Sequence, residues 1–220
     1  MTTVAEDLVL LLLDLQNGRP IVDRVSLDRA IGGALLLDLS VRGRVSADGD
    51  GARAKLAVVE GKPIGDALLD DALSRVGSGA VRAQRAVERL SRRTREPVFE
   101  RLVARGVIAR SSGRMLGLFP VTTWTVLDPA PREALRAQLA QALLKGVEPD
   151  QHIACLVSLL HAVKAEHKVV EGTRRELRAR AEEIADGDWA GAAVRRAVQS
   201  VQIAVAAAAS AGAASGASGS

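Results

Sequence analysis

Aromatic residues are almost absent from this chain, which has two Trp, two Phe and no Tyr among 220 residues. Because unpaired bases stack on aromatic side chains, this scarcity argues against single-strand nucleic-acid binding. A single cysteine, Cys155, excludes an internal disulfide and fits a reducing cytoplasm. Since 48% of the residues are nevertheless apolar, Leu, Val and Ala must pack the core, which favours helices.

The chain also lacks long apolar runs and recognisable catalytic motifs. The run in "AEDLVLLLLDL" follows two acidic residues and is too short to span a bilayer, so it predicts neither a signal peptide nor a membrane span. His152 and Cys155 lie three residues apart, but no motif supplies the third group of a nucleophilic site, and a buried thiol is the favoured interpretation. One Cys and three His lack the spacing of a zinc site. We therefore predict no enzyme, no metal and no cofactor.

The apolar periodicity predicts a mainly α fold, a single helical domain around a central helix bundle with two small β-hairpins. Thr3 and Glu6 form a capping box ahead of the first helix. Ser26 is the expected cap of "LDRAIGGALLLDLSV", which is apolar on nearly every side and predicts a buried central helix. The segments "RVSAD" with "ARAKLAVVE" predict the first hairpin, and "VIARSSGRMLGLFPV" predicts the second, as two strands around Ser-Ser-Gly. We expect the domain to cover residues 1–209, and an Ala/Gly/Ser tail over 210–220 to be disordered.

Positive charge is concentrated in one stretch. Residues 82–114 hold ten arginines and three glutamates, although the whole chain carries a net charge of only +4. Either water solvates this cluster or an anionic partner binds it. Pro97 places a helix start or kink nearby, with free backbone N–H groups and a positive dipole end. Arg92 and Arg95 are three residues apart and can face the same side, so we predict that they bind phosphate.

The second hairpin carries an apolar tip, Met115, Leu116, Leu118 and Phe119. Such a tip is costly in water, so it either packs on the core or enters lipid. The segment "FERLVARGVIARSSGRMLGLF" also has the form of a winged helix, which makes a DNA-binding protein the alternative function. Against this alternative, a wing that grips phosphate should be basic at its tip. A protein-binding adaptor is the third alternative.

In order and spacing, these segments resemble the Golgi phosphoprotein 3 family. The segments that carry the resemblance are "EDLVLLLLDLQNG", "LLLDLSVRGRV", "GDALLDDAL", "RRTRE" with "RLVARGVI", "RMLGLFPVTTW" and "LVSLLHA". The resemblance implies a cytoplasmic, peripherally membrane-associated protein that binds an anionic phospholipid, phosphatidylinositol 4-phosphate in the family. It also implies that Arg92 and Arg95 contact the head group. The hairpin tip, residues 115–119, would then insert into the membrane or pair two protomers.

The resemblance leaves two positions of the family pocket unmatched. The family also uses a tryptophan and an arginine on the early chain, where this sequence has Asp23 and Gly32. Arg24 and Arg29 are near enough in sequence to substitute. We therefore expect weak head-group selectivity, which Asp23→Trp with Gly32→Arg should raise. The abundance of Ala and Arg suggests a bacterial member of the family.

Overall fold

The computed structural model describes residues 2–49, 53–115, 119–187 and 192–216. The described chain is 61% helix, with two small antiparallel sheets, which confirms the predicted fold class. The helices are α1 (Val4–Leu11), α2 (Arg24–Val41), α3 (Ala67–Val76), α4 (Ala83–Ser91), α5 (Arg95–Ala104), α6 (Ala130–Leu144), α7 (Gln151–Ala162), α8 (Glu166–Val169), α9 (Arg174–Asp186) and α10 (Ala192–Gly216). The strands are β1 (Val45–Asp48), β2 (Lys55–Val58), β3 (Val81–Arg82), β4 (Ile108–Met115) and β5 (Phe119–Val126).

The starts of the first two helices follow from local side-chain hydrogen bonds. At α1 both halves of the predicted capping box form between Thr3 and Glu6. At α2 the prediction was wrong by three residues, because Asp23 and not Ser26 is the cap. The Asp23 carboxylate accepts hydrogen bonds from the backbone N–H and the hydroxyl of Ser26. An ionised carboxylate satisfies two donors at once, which explains why it takes the capping position.

Helix α2 is the buried central helix that the sequence predicts. It packs against α1, α3, α4, α7 and α10, and its residues from Ala30 to Ser40 are all buried. Gly32 faces α4 so closely that a Cβ atom there would lie 2.8 Å from the Ser91 nitrogen and 2.9 Å from the Val87 oxygen. The backbones of α2 and α4 are therefore in direct contact at Gly32.

Asp38 joins α1 to the central helix. Its buried carboxylate accepts hydrogen bonds from the backbone N–H groups of Val4 and Ala5, at 3.2 and 3.4 Å, and from the Arg42 guanidinium at 2.9 Å. Burial raises the pKa of Asp38 to about 6, despite these donors. Two of the amides that a helix start leaves unpaired are thus satisfied by a neighbouring helix.

The second sheet is the predicted two-stranded hairpin, but Ser111, Ser112 and Gly113 pair within β4 and do not form the predicted turn. Its register runs from the pair Ile108↔Val126 to the pair Met115↔Phe119. Its base is fixed by Trp124, whose ring centroid lies 4.5 Å from that of Phe99 on α5. Leu116 and Leu118 lie outside the described residues, as do the side chains of Met115 and Phe119. The role of the apolar tip therefore stays a prediction.

The first sheet has one strand more than the predicted hairpin, because β3 pairs with β2 and gives the order β1-β2-β3. At the carboxy-terminal end, α10 runs past residue 209 to Gly216, so the predicted tail begins inside this helix. The division into domain and tail stays a prediction. Among the described residues, no helix combines the length and the apolar character that crossing a membrane requires.

We expect Gly32→Ala to destabilise the protein, because backbone atoms of α4 cannot move aside as a side chain can. Overpacking should lower the free energy of unfolding by about 1–3 kcal/mol. This loss exceeds the stability gained from the higher helix propensity of Ala. Gly79→Ala is the control, since a Cβ there would meet no atom within 4 Å. Urea unfolding of both variants measures the difference. A Gly32→Ala protein as stable as the Gly79→Ala protein would contradict the backbone contact.

Candidate anion-binding site

The predicted arginine site lies at the junction of α4 and α5. Helix α4 ends at Ser91 and α5 begins at Arg95, with Pro97 in its first turn as predicted. The turn between them is tight, because Arg93 adopts a left-handed backbone conformation with φ 63°. The backbone N–H groups of the first α5 residues have no acceptor within the helix. The junction therefore presents arginines beside the positive end of a helix.

Arg95 and Arg24 share one carboxylate. The Arg95 Nε lies 3.6 Å from the Oδ1 of Asp28, and the Arg24 Nε lies 3.8 Å from its Oδ2. Asp28 and Arg24 are four residues apart on α2, the spacing at which helical side chains meet. The Arg24 side chain is 77% exposed, whereas the side chains of Arg95 and Asp28 are 32% and 25% exposed. An anion at this place must therefore compete with Asp28 for Arg95.

Arg29 reaches the same junction from α2. Its Nη1 donates a hydrogen bond to the Oγ of Ser91 at 2.9 Å. Ser91 is followed directly by Arg92, whose backbone oxygen accepts a hydrogen bond from Arg75 at 3.0 Å. The structure thus brings both proposed substitutes, Arg24 and Arg29, to the site of Arg92 and Arg95. The Arg92 guanidinium has no hydrogen bond or ion pair within the described part of the chain.

Asp28 is the residue of this site that the sequence interpretation missed. Burial raises the pKa of Asp28 above its usual range, although Arg95, Arg24 and Arg29 oppose that shift. The i,i+4 spacing to Arg24 is a signal that could have predicted the first ion pair. No sequence signal indicates the second, because Arg95 is on another helix.

The two unmatched pocket positions have structural roles. Asp23 caps α2; burial acts to raise its pKa, but hydrogen bonds from Ser26 hold the pKa below its usual range. Gly32 faces the backbone of α4 and has no space for a side chain. The effect of Asp23→Trp with Gly32→Arg on selectivity stays a prediction, and the pair would also remove a helix cap and force side-chain atoms against the backbone of α4.

The arginines of residues 82–114 fall into two groups. In five of them the guanidinium group has an acceptor or an ion-pair partner. These are Arg89 with the Val76 backbone oxygen, Arg95 with Asp28, Arg101 with Glu6 and Asp66, Arg105 with Glu6, and Arg110 with Glu96. Within the described part of the chain, four have no side-chain partner: Arg82, Arg85, Arg92 and Arg93. The side chain of Arg114 is outside the described residues. Half of the cluster is therefore paired within the protein, and the arginines without a partner in the described ranges lie at the two ends of α4.

The basic residues of α5 belong to the first group. Glu6 of α1 is fully buried, and it lies 3.3 Å from Arg101 and 3.1 Å from Arg105. Asp66 also bonds Arg101, which holds the pKa of the Asp66 carboxyl below its usual range although burial acts to raise it. A recognition helix must offer its cations to DNA phosphates. The DNA-binding alternative therefore gains no support from α5.

His152 and Cys155, which lie three residues apart in the sequence, have different surroundings in the structure. The His152 Nε2 lies 2.7 Å from the Oδ2 of Asp7, and this hydrogen bond raises the pKa of His152. Cys155 is fully buried, and burial raises the pKa of its thiol. In the described ranges no group of three or more His, Cys, Asp and Glu side chains could hold a metal ion.

Comparison with known proteins agrees with the resemblance found in the sequence. The family model described as Golgi phosphoprotein 3 (GPP34) matches residues 4–201. The vacuolar protein sorting-associated protein 74 of Eremothecium gossypii is 26% identical over 163 residues. The match covers 64% of this chain and 49% of that protein, so the chain spans about half the length of its curated relative. Neither comparison supports the DNA-binding alternative.

We expect Arg101→Ala and Arg92→Ala to differ sharply in stability. Loss of Arg101 leaves the buried Glu6 carboxylate with fewer donors, which should cost about 1.5–3 kcal/mol of unfolding free energy. Loss of the exposed Arg92 side chain should change it by less than about 0.5 kcal/mol. Thermal unfolding at pH 7 compares the two variants. Equal losses would show that the two groups of arginines do not differ in their structural role.

Proposed function

The chain belongs to the Golgi phosphoprotein 3 family, and from this membership we propose that it is a peripheral membrane protein binding anionic phospholipid head groups. Arg92 and Arg95 are the proposed contacts to the head-group phosphate. The observation that carries the proposal is the unpaired, exposed Arg92 guanidinium beside Arg24, Arg29 and Arg95 at the start of α5. A position with several cations and one carboxylate favours an anion.

The geometry suggests how a phosphate would be held. Arg92 is free to donate two hydrogen bonds from its planar guanidinium to two phosphate oxygens. Arg95 is partly exposed and only 3.6 Å from Asp28, so it can turn to a stronger acceptor without leaving the junction. The backbone N–H groups of Arg95 and Glu96 are the first two of α5 and add donors from the helix end. Arg24 and Arg29 would then serve as flanking charges.

Head-group selectivity in this proposal is weak. Arginines and a helix end respond to charge and phosphate number, whereas the shape of an inositol ring requires rigid walls. The position where the family has an aromatic wall holds Asp23, which is engaged as a helix cap. Phosphatidylinositol 4-phosphate is thus one of several anionic lipids that fit. Binding should fall with salt, because exposed charges are screened within about 8–10 Å near physiological ionic strength.

The hairpin β4–β5 provides the apolar part of the proposed membrane contact. Its strands are held to the core at their base by Trp124 and Phe99. The tip residues Met115, Leu116, Leu118 and Phe119 would enter the bilayer or pair two protomers. Each buried Leu or Phe side chain would contribute about 1.5–3 kcal/mol. The proposed function is thus binding without catalysis, at the cytoplasmic surface of a membrane.

The double variant Arg92→Ala/Arg95→Ala should bind anionic vesicles at least about tenfold less tightly. Charge-assisted hydrogen bonds contribute about 1.5–3 kcal/mol each, and 1.4 kcal/mol is a factor of ten. The measurement is flotation with phosphatidylcholine vesicles that contain phosphatidylinositol 4-phosphate, or phosphatidylglycerol at equal surface charge. We expect the two lipids to differ by less than about tenfold in the unmodified protein.

The matched control is Arg174→Ala/Arg175→Ala, which removes the same charge from exposed residues of α9. If this control weakens binding as much as the junction variant does, net charge and not the junction determines affinity. Undiminished binding by Arg92→Ala/Arg95→Ala would rule the site out.

Asp28→Asn should strengthen vesicle binding by about two- to fivefold, the amount that partly exposed ion pairs contribute. The substitution keeps the shape of the side chain and removes the negative charge that competes for Arg95. Burial disfavours the charged form of Asp28 in the folded protein. Removing this charge should therefore change the stability of the protein little. Asp48→Asn on strand β1 makes the same change in charge and is the control. Weaker binding by Asp28→Asn would mean that Asp28 positions Arg95 for the lipid.

A further inference from the structure

A second basic groove lies at the opposite end of α4 from Arg92. Its volume is about 770 Å³, within the usual range of ligand sites. Lys55, Arg82, Arg85 and Arg89 line it from β2, β3 and α4, and residues 77–81 form the facing wall. Gly77 and Gly79 leave that wall partly free of side chains.

The sheet places two like charges face to face in this groove. In the antiparallel pairing of β2 with β3, Lys55 lies directly opposite Arg82. Both side chains are exposed, and neither has a hydrogen bond or ion pair within the described residues. Like charges at opposed positions of a strand pair destabilise it. A bound anion would convert this repulsion into attraction.

The start of α4 adds donors to the same groove. The capping position is held by Arg82, which has no side-chain acceptor to offer the helix. The N–H of Ala83 donates to the Ala54 oxygen at 3.4 Å, whereas the N–H groups of Gln84 and Arg85 have no acceptor within the helix. Arg85 lies one turn beyond Arg82 on the same face. Cationic side chains and backbone donors therefore converge on one space.

Three other polar residues of the groove, Arg89, Glu88 and Gln84, have partners of their own. Arg89 donates to the Val76 oxygen at 2.7 Å, which fixes its guanidinium at the edge of the groove. Glu88 is the one carboxylate among the residues that line it, and the Gln84 side chain lies 3.5 Å from that carboxylate. Lys55, Arg82 and Arg85 are the cations of the groove without an acceptor among the residues that the structure describes. Three unpaired cations against one carboxylate leave the groove strongly positive.

We propose that this groove is a second binding site, for a phosphate-bearing anion larger than a single phosphate, held by Lys55, Arg82 and Arg85. Its volume exceeds what one phosphate fills, and its cations come from two strands and a helix, so they surround a ligand from different sides. Arg82 and Arg92 are ten residues apart, about 15 Å along a helix, so one phosphate cannot bridge them. The second site goes beyond the proposed function and does not rest on it.

The test uses the ¹⁵N-labelled full-length chain and sodium pyrophosphate as the probe. Pyrophosphate should cause saturable shifts in the amide resonances of Gln84 and Arg85. In Arg82→Ala/Arg85→Ala the same titration should require at least about tenfold more pyrophosphate. Arg174→Ala/Arg175→Ala controls for the loss of two charges and should titrate like the unmodified protein. The absence of saturable shifts, or equal weakening in both double variants, would overturn the proposal.

Two further experiments distinguish this groove from the site at the α4–α5 junction and identify the source of the anion. Arg92→Ala/Arg95→Ala should keep the pyrophosphate response, whether or not it still binds vesicles. Loss of the response at Gln84 and Arg85 in that variant would overturn the second site as a separate one. Flotation of Arg82→Ala/Arg85→Ala with phosphatidylglycerol vesicles then distinguishes the sources. Weaker binding than the control double variant indicates a lipid head group, and unchanged binding indicates a soluble phosphate compound.

Discussion

The backbone contact between α2 and α4 at Gly32 determines where the charged residues of the junction meet. With no side chain between the two helices, Arg29 reaches Ser91 at 2.9 Å, and Asp28 comes within 3.6 Å of Arg95. Any Cβ at position 32 would push the backbone of α4 away. The same contact therefore serves packing and the candidate site at once, because Asp28 and Arg29 are carried on α2 and the α4–α5 junction follows directly after Ser91.

A few carboxylates decide which arginines remain available. Glu6 and Asp66 bind the arginines of α5, and Asp28 holds Arg95 in part. A buried carboxylate needs its cations, since burying an unpaired charge is far more costly than exposing an arginine to water. The arginines that face solvent without a partner are the ones for which binding an anion costs little. This distribution divides the dense arginine stretch into residues that are paired within the described part of the chain and residues that remain available for the proposed anion.

Helix α4 connects the two positive regions of the molecule. One side of this nine-residue helix is buried through residues such as Ala86, Val87 and Leu90, so the helix is fixed along its length. Its unpaired arginines lie at both ends, close to a helix start in each case, α4 itself at one end and α5 at the other. The two charge centres are therefore held at a fixed distance from each other.

The sequence by itself determined the helical class, the capping box at Thr3, the first-turn position of Pro97, the apolar hairpin and the family. These features depend on periodicity, on local hydrogen bonds and on the order of segments, all of which a linear sequence contains. The capping role of Asp23 also depends on a local signal. Ser26, three residues later, carries the same signal, so the sequence did not distinguish the two candidate caps. Only the tertiary structure decided which arginines are paired. Their partners are remote, 62 residues apart for Arg29 with Ser91 and 99 for Arg105 with Glu6, and such contacts depend on how helices pack and not on spacing along the chain.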